Sequence, residues 1–145
     1  MNFGITTNLE SIIYQEALRI RREVFVIEQQ IPESIEIDSL EKECLHIVQY
    51  NGDIPVATAR LYPVDDTTWK IQRVAVKKEF RRQQMGRQLL EEIARLAEEK
   101  RIQTLTLNAQ VESIGFYKAL GYQTVGEPFT EASILHNQMK RFIIK

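Results

Sequence analysis

The chain has 145 residues, 43% of them hydrophobic and 27% charged, with 19 Lys and Arg against 20 Asp and Glu for a formal net charge of -1. That length suits one ordinary domain, residues 1–145, able to bury its core without disulfide or metal staples, and the balanced charge argues against disorder and against an overall basic nucleic-acid binder. The lone Cys44 cannot form an intrachain disulfide, and with only His46 and His136 beside it there is no Cys/His metal cluster. No basic stretch followed by an apolar run opens the sequence, and no apolar run nears the roughly 20 residues that cross a bilayer. A soluble cytoplasmic protein without a membrane or nucleic-acid partner is expected.

Residues 3–6 read as a short opening strand. Thr7 stands three residues before Glu10, the spacing of a capping box, and Leu9, Ile12, Ile13, Ala17, Ile20, Val24 and Ile27 follow with helical spacing. Pro32 limits this first helix, whose end falls between residues 22 and 30. Residues 33–43 are acidic and without a period, so they read as loop. Two strands at 44–50 and 56–62 flank Asn51-Gly52-Asp53, a hairpin signal, and a second turn at 65–67 leads to a third strand at 68–76.

A charge-rich stretch at 77–85 then precedes a strongly periodic helix at 86–100. Its apolar stripe is Leu89, Leu90, Ile93, Ala94, Leu96 and Ala97, with Glu91 and Arg95 spaced to pair and Lys100 and Arg101 at the end favoured by the helix dipole. Residues 102–107 read as a strand and 112–120 as a shorter helix ended by Gly121, a residue suited to a left-handed cap. Segments 122–125 and 135–144 supply the last strands. The order βα-βββ-α-β-α-ββ describes an α+β domain whose mixed, mainly antiparallel central sheet is flanked by helices.

The chemistry is expected where the third strand passes through the basic loop into the long helix. Helix N-termini present free N–H groups and partial positive charge, and between Lys77 and Arg87 there are five basic residues and one acidic residue. Gly86 permits close approach of a ligand to the backbone. These features suit an anionic group such as a pyrophosphate; a solvated charged loop is the alternative on physical grounds alone.

The segment resembles the coenzyme-A loop of the GNAT superfamily of N-acetyltransferases, Arg/Gln-x-x-Gly-x-Gly/Ala after a Val-x-Val strand. Arg81 takes the first place and Gly86 the last, while Gln84 stands where the family usually has its first glycine. A positive φ at that place would make glutamine costly. A second match lies at 108–122, which is similar to Asn-x-x-Ala-x-x-Phe-Tyr-x-x-x-Gly-Phe, with Gln110 and Ser113 at the asparagine and alanine places. Residues 21–29, RREVFVIEQ, and Ile134-Leu-His136-Asn-Gln-Met139 resemble signatures of a bacterial branch of these enzymes.

The resemblance implies a sheet split between its central strands and a reaction in which an amine attacks the thioester of acetyl-CoA. It places the pantetheine arm along the third strand, with a backbone N–H of Val74, Ala75 or Val76 polarising the carbonyl. The diphosphate falls on Arg81, Arg82, Gln83, Gln84, Met85, Gly86 and Arg87, and Gln110 is a further cofactor contact. Tyr117 matches the tyrosine that protonates the leaving thiolate, as a phenol of ordinary pKa about 10 can at neutral pH. Glu28, Asp38, His46 or water alone are the candidates for the base, whereas Cys44 reads as a core residue. The acceptor is a small-molecule or peptide amine, no metal is implied, and dimers are common in the family. A CoA-binding regulatory module without turnover and an acyltransferase with longer acyl donors are the alternatives. Residues 33–43 either attract a cationic acceptor or are solvated surface.

Overall fold

The computed structural model describes residues 2–143. Its elements are β1 (Asn2–Thr6), α1 (Ile12–Arg21), a π-helical turn (Arg22–Glu28), α2 (Glu33–Glu36), β2 (Leu45–Asn51), β3 (Ile54–Asp65), β4 (Thr68–Val76), α3 (Met85–Glu99), β5 (Thr104–Gln110), α4 (Ile114–Ala119), β6 (Gln123–Glu131) and β7 (Ile134–Phe142). The strands form one sheet in the order β1-β2-β3-β4-β5-β7-β6. β4 and β5 run parallel, whereas the β1–β2, β2–β3, β5–β7 and β6–β7 pairs are antiparallel. The mixed, mainly antiparallel sheet with helices is the α+β architecture expected.

Two compact units divide the chain: residues 1–62 with 72–90, and 63–71 with 91–145. In the first, Ala17, Ile20 and Val24 pack with Val48 and Ala75, and Ile13, Phe25 and Tyr50 cover them. β3 is buried on both faces from Val56 to Leu61, which carries two polar residues, Thr58 and Arg60, into the interior. In the second unit Leu105, Leu107, Ala109 and Met139 are buried, and β4 joins β5 through Thr68, Trp69 and Lys70. The apolar stripe expected for α3 is buried throughout.

Several local expectations are corrected. Ser11, not Thr7, caps α1, its hydroxyl accepting from the Tyr14 amide at 3.2 Å. Thr6 and Asn8 accept from the Asn8 and Glu10 amides, which fixes a tight turn where the capping box was expected. The helical period continues beyond α1 as a π turn in which the Gln29 amide reaches Val24 O at 3.2 Å. Residues 33–43 are not all loop, for they hold α2 and a 3-10 turn at Glu41–Glu43. Arg95 binds Glu92 at 2.7 Å and Glu99 at 2.9 Å, two partners that the spacing alone did not single out. β5 starts two residues later than expected. β6 runs on to Glu131 before a tight turn at Ala132 and Ser133, both of positive φ. The expected end of the last strand at Ile144 lies outside the described residues.

Candidate functional site

In the first unit, β4 leads into the loop that carries the candidate anion site. Arg73, inside β4, has φ +57, a left-handed residue that interrupts a regular strand just before Val74, Ala75 and Val76. Ala75 is a core residue, so at that position only the main chain can serve a ligand. After a 3-10 turn at Lys78–Phe80, Arg82 and Gln84 take φ +63 and +65, and α3 begins at Met85. Left-handed Gln84 followed by helical Met85 is the combination that turns successive N–H groups into an anion-binding concavity. Gln84 therefore occupies the glycine place of the motif with glycine's dihedral.

The loop's side chains divide into two sets. Met85 is buried, and Gln49 donates to Gln88 Oε1 at 3.1 Å beside it. Arg82, Gln83, Gln84 and Arg87 are exposed. Arg81 is held by the fold: its Nε donates to Val76 O at 3.0 Å, and its two Nη atoms reach the Glu28 carboxylate at 2.6 and 2.8 Å. The fork joins the π turn to the end of β4. It also holds the Glu28 carboxyl below its ordinary range, chiefly through the hydrogen bonds from Arg81.

Beside this loop the same unit encloses a charge network that sequence reading missed. Arg21, on α1, and Arg60, on β3, are each 1% exposed, and both bind Glu41 at 2.7 and 2.5 Å. Arg21 also binds Glu36 at 2.8 Å, Arg60 binds Asp38 at 2.8 Å, and Tyr14 donates to Glu41 at 3.0 Å. Arg73, the left-handed residue of β4, closes the set on Glu36 at 3.2 Å and Asp38 at 3.3 Å. Three guanidinium groups thus meet three carboxylates. Burial alone would raise the Glu41 carboxyl, but the Arg21 hydrogen bonds and the Arg21 and Arg60 charges bring it to about 2. For Glu36 burial outweighs Arg21, and its carboxyl lies above the ordinary value. The signal available in the sequence was Arg60 inside an otherwise apolar and small-residue strand.

These contacts place the three base candidates. Asp38 is bound to Arg60 and Arg73, and Glu28 to Arg81. His46 is buried, its ring 4.7 Å edge-on from Tyr14 and its Nε2 donating to Glu41 O at 2.9 Å. Burial lowers its pKa, so it is a neutral imidazole. Burial pushes the Cys44 thiol up to about 11, in keeping with a core residue.

The second unit carries Gln110 and Tyr117. Gln110 ends β5 in register with His136 of β7. A 3-10 turn at Val111–Ser113 then leads into α4, and Gly121, at φ +94, releases the chain toward β6. Tyr117 is half-buried, its ring 5.1 Å from Phe116 and 5.7 Å from Tyr122, both edge-on. Burial raises its pKa, so the phenol keeps its proton at neutral pH. The Tyr122 hydroxyl is buried without a partner among the described residues.

Among the described residues no helix is long and apolar enough to cross a membrane, and no group of three or more His, Cys, Asp or Glu gathers as a metal site. Residues 8–142, which run through both units, match the acetyltransferase (GNAT) domain family. The chain is 37% identical over 142 residues to the Bacillus subtilis N-acetyltransferase YjcF, itself uncharacterized, covering 97% of this chain and 99% of that protein. Its fold matches the crystal structure of an acyl-CoA N-acyltransferase from Pseudomonas aeruginosa with a TM-score of 0.85 at 28% identity, over 97% of this chain and 98% of that one. Escherichia coli ElaA is matched with a TM-score of 0.83, also at 28% identity and over the same shares of the two chains.

Proposed function

Since the chain belongs to the GNAT family of acetyltransferases, we propose that it transfers the acetyl group of acetyl-CoA to the amine of a small molecule or peptide by direct attack on the thioester. The observation that carries this reading is the loop between β4 and α3, where Gln84 and Met85 adopt the left-handed and right-handed dihedrals of an anion cradle at the start of a 15-residue helix. Acetyl-CoA, when bound, supplies an activated acyl group and a leaving thiol.

The residues then have separate tasks. Main-chain amides of 81–87 hold the diphosphate, with Arg82 and Arg87 adding charge and Gly86 allowing close approach. Arg81 keeps the loop attached to the end of β4 through Val76 and Glu28. A backbone N–H of Val74, Ala75 or Val76, re-aimed by left-handed Arg73, donates to the thioester oxygen as negative charge develops there. Gln110 adds a side-chain contact, and Tyr117 gives its proton to the departing sulfur. No side-chain base is assigned: Glu28 and Asp38 are committed to arginines and His46 is buried, which supports solvent as the acceptor of the ammonium proton.

Titration calorimetry with acetyl-CoA and thiol release over an amine panel test the proposal. Heat and turnover are expected, and Tyr117→Phe should lower kcat roughly a hundredfold, the size of a lost general acid, with acetyl-CoA affinity little changed. Binding without turnover across the panel would make the protein a CoA-binding module instead. A second reading, an acyltransferase for longer donors, draws on the Pseudomonas aeruginosa relative named for acyl-CoA. Faster thiol release from hexanoyl-CoA than from acetyl-CoA would establish it.

A further inference from the structure

β5, β7 and β6 of the second unit present two unlike faces. Antiparallel partners point to the same side of a sheet, and every second residue repeats it. One face carries Leu105, Leu107, Ala109 and Met139, all buried. On the other, the register sets out three rows: Thr106 with Lys140 and Gln123, Asn108 with Gln138 and Val125, Gln110 with His136 and Phe129.

The rows differ in chemistry. In the first, Thr106 Oγ1 donates to Met139 O at 3.1 Å and accepts from Gln138 Nε2 at 3.2 Å. Lys140, half-buried, has no carboxylate partner among the described residues. The middle row offers the two amide side chains, of which Gln138 keeps one N–H and its Oε1 available after binding Thr106. In the third row His136 stacks on Phe129 at 6.1 Å, beside Gln110. None of the nine side chains is acidic. The three carboxylates of 36–41 are in turn neutralised by Arg21, Arg60 and Arg73. Within the three rows a second cation finds no carboxylate, whereas a carboxylate finds Lys140; Glu131, paired with Ile134 beyond the third row, puts the face's negative charge at the amine end.

We infer that this face selects a short peptide as the acceptor: its amine lies at the row of Gln110 and His136, its amide bonds on Asn108 and Gln138, and its C-terminal carboxylate on Lys140. The inference rests on the acyl-transfer reading above, in which Gln110 contacts the bound acetyl-CoA. Spacing agrees. His136 and Lys140 are four residues apart, about 13–14 Å along a strand, and an extended peptide of two or three residues spans about 7–10 Å, the remainder being within reach of the lysine stem.

Thiol release from acetyl-CoA by the full chain, with glycine, diglycine, triglycine, triglycine amide and 1,6-diaminohexane, reads the selection. We expect kcat/KM to rise from glycine to triglycine, and triglycine to exceed its amide by at least tenfold. Lys140→Gln should bring that ratio to about one, chiefly through KM for triglycine, and Lys140→Arg should restore it. A ratio near one in the native protein, the same ratio in Lys140→Gln, or the diamine as best acceptor would overturn the inference. Nuclear magnetic resonance titration with N-acetyltriglycine supplies a readout that needs no turnover: shifts at Gln138, His136 and Lys140 support the inference, and their absence overturns it. Failure of acetyl-CoA to bind would instead strike the acyl-transfer reading, leaving the titration result standing.

Discussion

Segments 33–43 and 77–87 are mirror images in composition: the first has five acidic residues and one basic, the second five basic and one acidic. Both belong to the first unit, yet their charges go to opposite destinations. Glu36, Asp38 and Glu41 turn inward onto Arg21, Arg60 and Arg73, whereas Lys78, Arg82 and Arg87 face solvent. What separates them is the supply of counter-charge from the strands and helix beside them. A buried charge is tolerable only when paired and hydrogen-bonded, and α1, β3 and β4 offer three arginines to the acidic segment. Arg81 of the basic one is drawn into a fork with Glu28. The acidic stretch is structural cement, whereas the basic stretch holds most of its charge at the surface, where the diphosphate is proposed to bind.

The largest expected effect tests the inward half. Glu41→Gln leaves Arg21 and Arg60 buried with one fewer carboxylate, and removing one partner of a buried pair costs about 3–5 kcal/mol. Urea unfolding should show it, while Glu28→Gln, at the exposed fork, should leave the midpoint close to native. Acid adds a second mark. The Glu41 carboxyl is held at about 2 in the folded protein against an ordinary 4.5, so its contribution is complete above about pH 4.5 and is lost as pH falls toward 2. Asp38, also lowered, acts in the same sense, and Glu36, raised by burial, opposes them. Glu41→Gln should flatten the acid limb of the stability profile. A steep limb that survives in the variant would mean that other carboxylates carry it.

Next in size is a test of the outward half. Gly86→Asp puts a side chain and a negative charge at the start of α3, where the diphosphate is proposed to lie. Affinity for acetyl-CoA should fall at least tenfold, about 1.4 kcal/mol, when read by calorimetry. An acidic residue in the first turn favours the helix itself, so the urea midpoint should hold and the loss will not be one of folding. Unchanged affinity would break the contrast by removing the ligand from the loop.

Much of the frame was legible because short-range patterns fix it: the two hairpin turns around β3, β4 over Thr68–Val76, the stripe of α3 and the Gly121 cap all follow from spacing and turn chemistry. The acidic segment was not. Asp38 meets Arg60 across 22 positions and Glu41 meets Arg21 across 20, and no local period announces a pairing between distant charges. Ser11 displaced Thr7 as the cap for a related reason, since several hydroxyl and amide side chains compete within 6–11 and only the folded turn selects one. The candidate site divides likewise. Its loop and Tyr117 could be named from motifs, but the tie of Arg81 to Glu28 and the face bearing Lys140 depend on register and tertiary pairing.

The smallest effect concerns Gln84, where the basic loop departs from the glycine of its family's pattern. The residue sits at φ +65, a region in which a side chain on an L-residue strains the backbone by roughly 1–2 kcal/mol. Glycine would relieve that strain, while giving back part of it through the greater freedom of the unfolded chain, about 0.5–1 kcal/mol. Gln84→Gly should therefore raise stability by about 1 kcal/mol or less, visible as a small upward move of the urea midpoint at constant slope. Because the proposed cradle consists of main-chain N–H groups, acetyl-CoA affinity should hold or improve. A fall in affinity would assign part of the grip to the glutamine amide, and the loop would then bind with side chains as well as backbone.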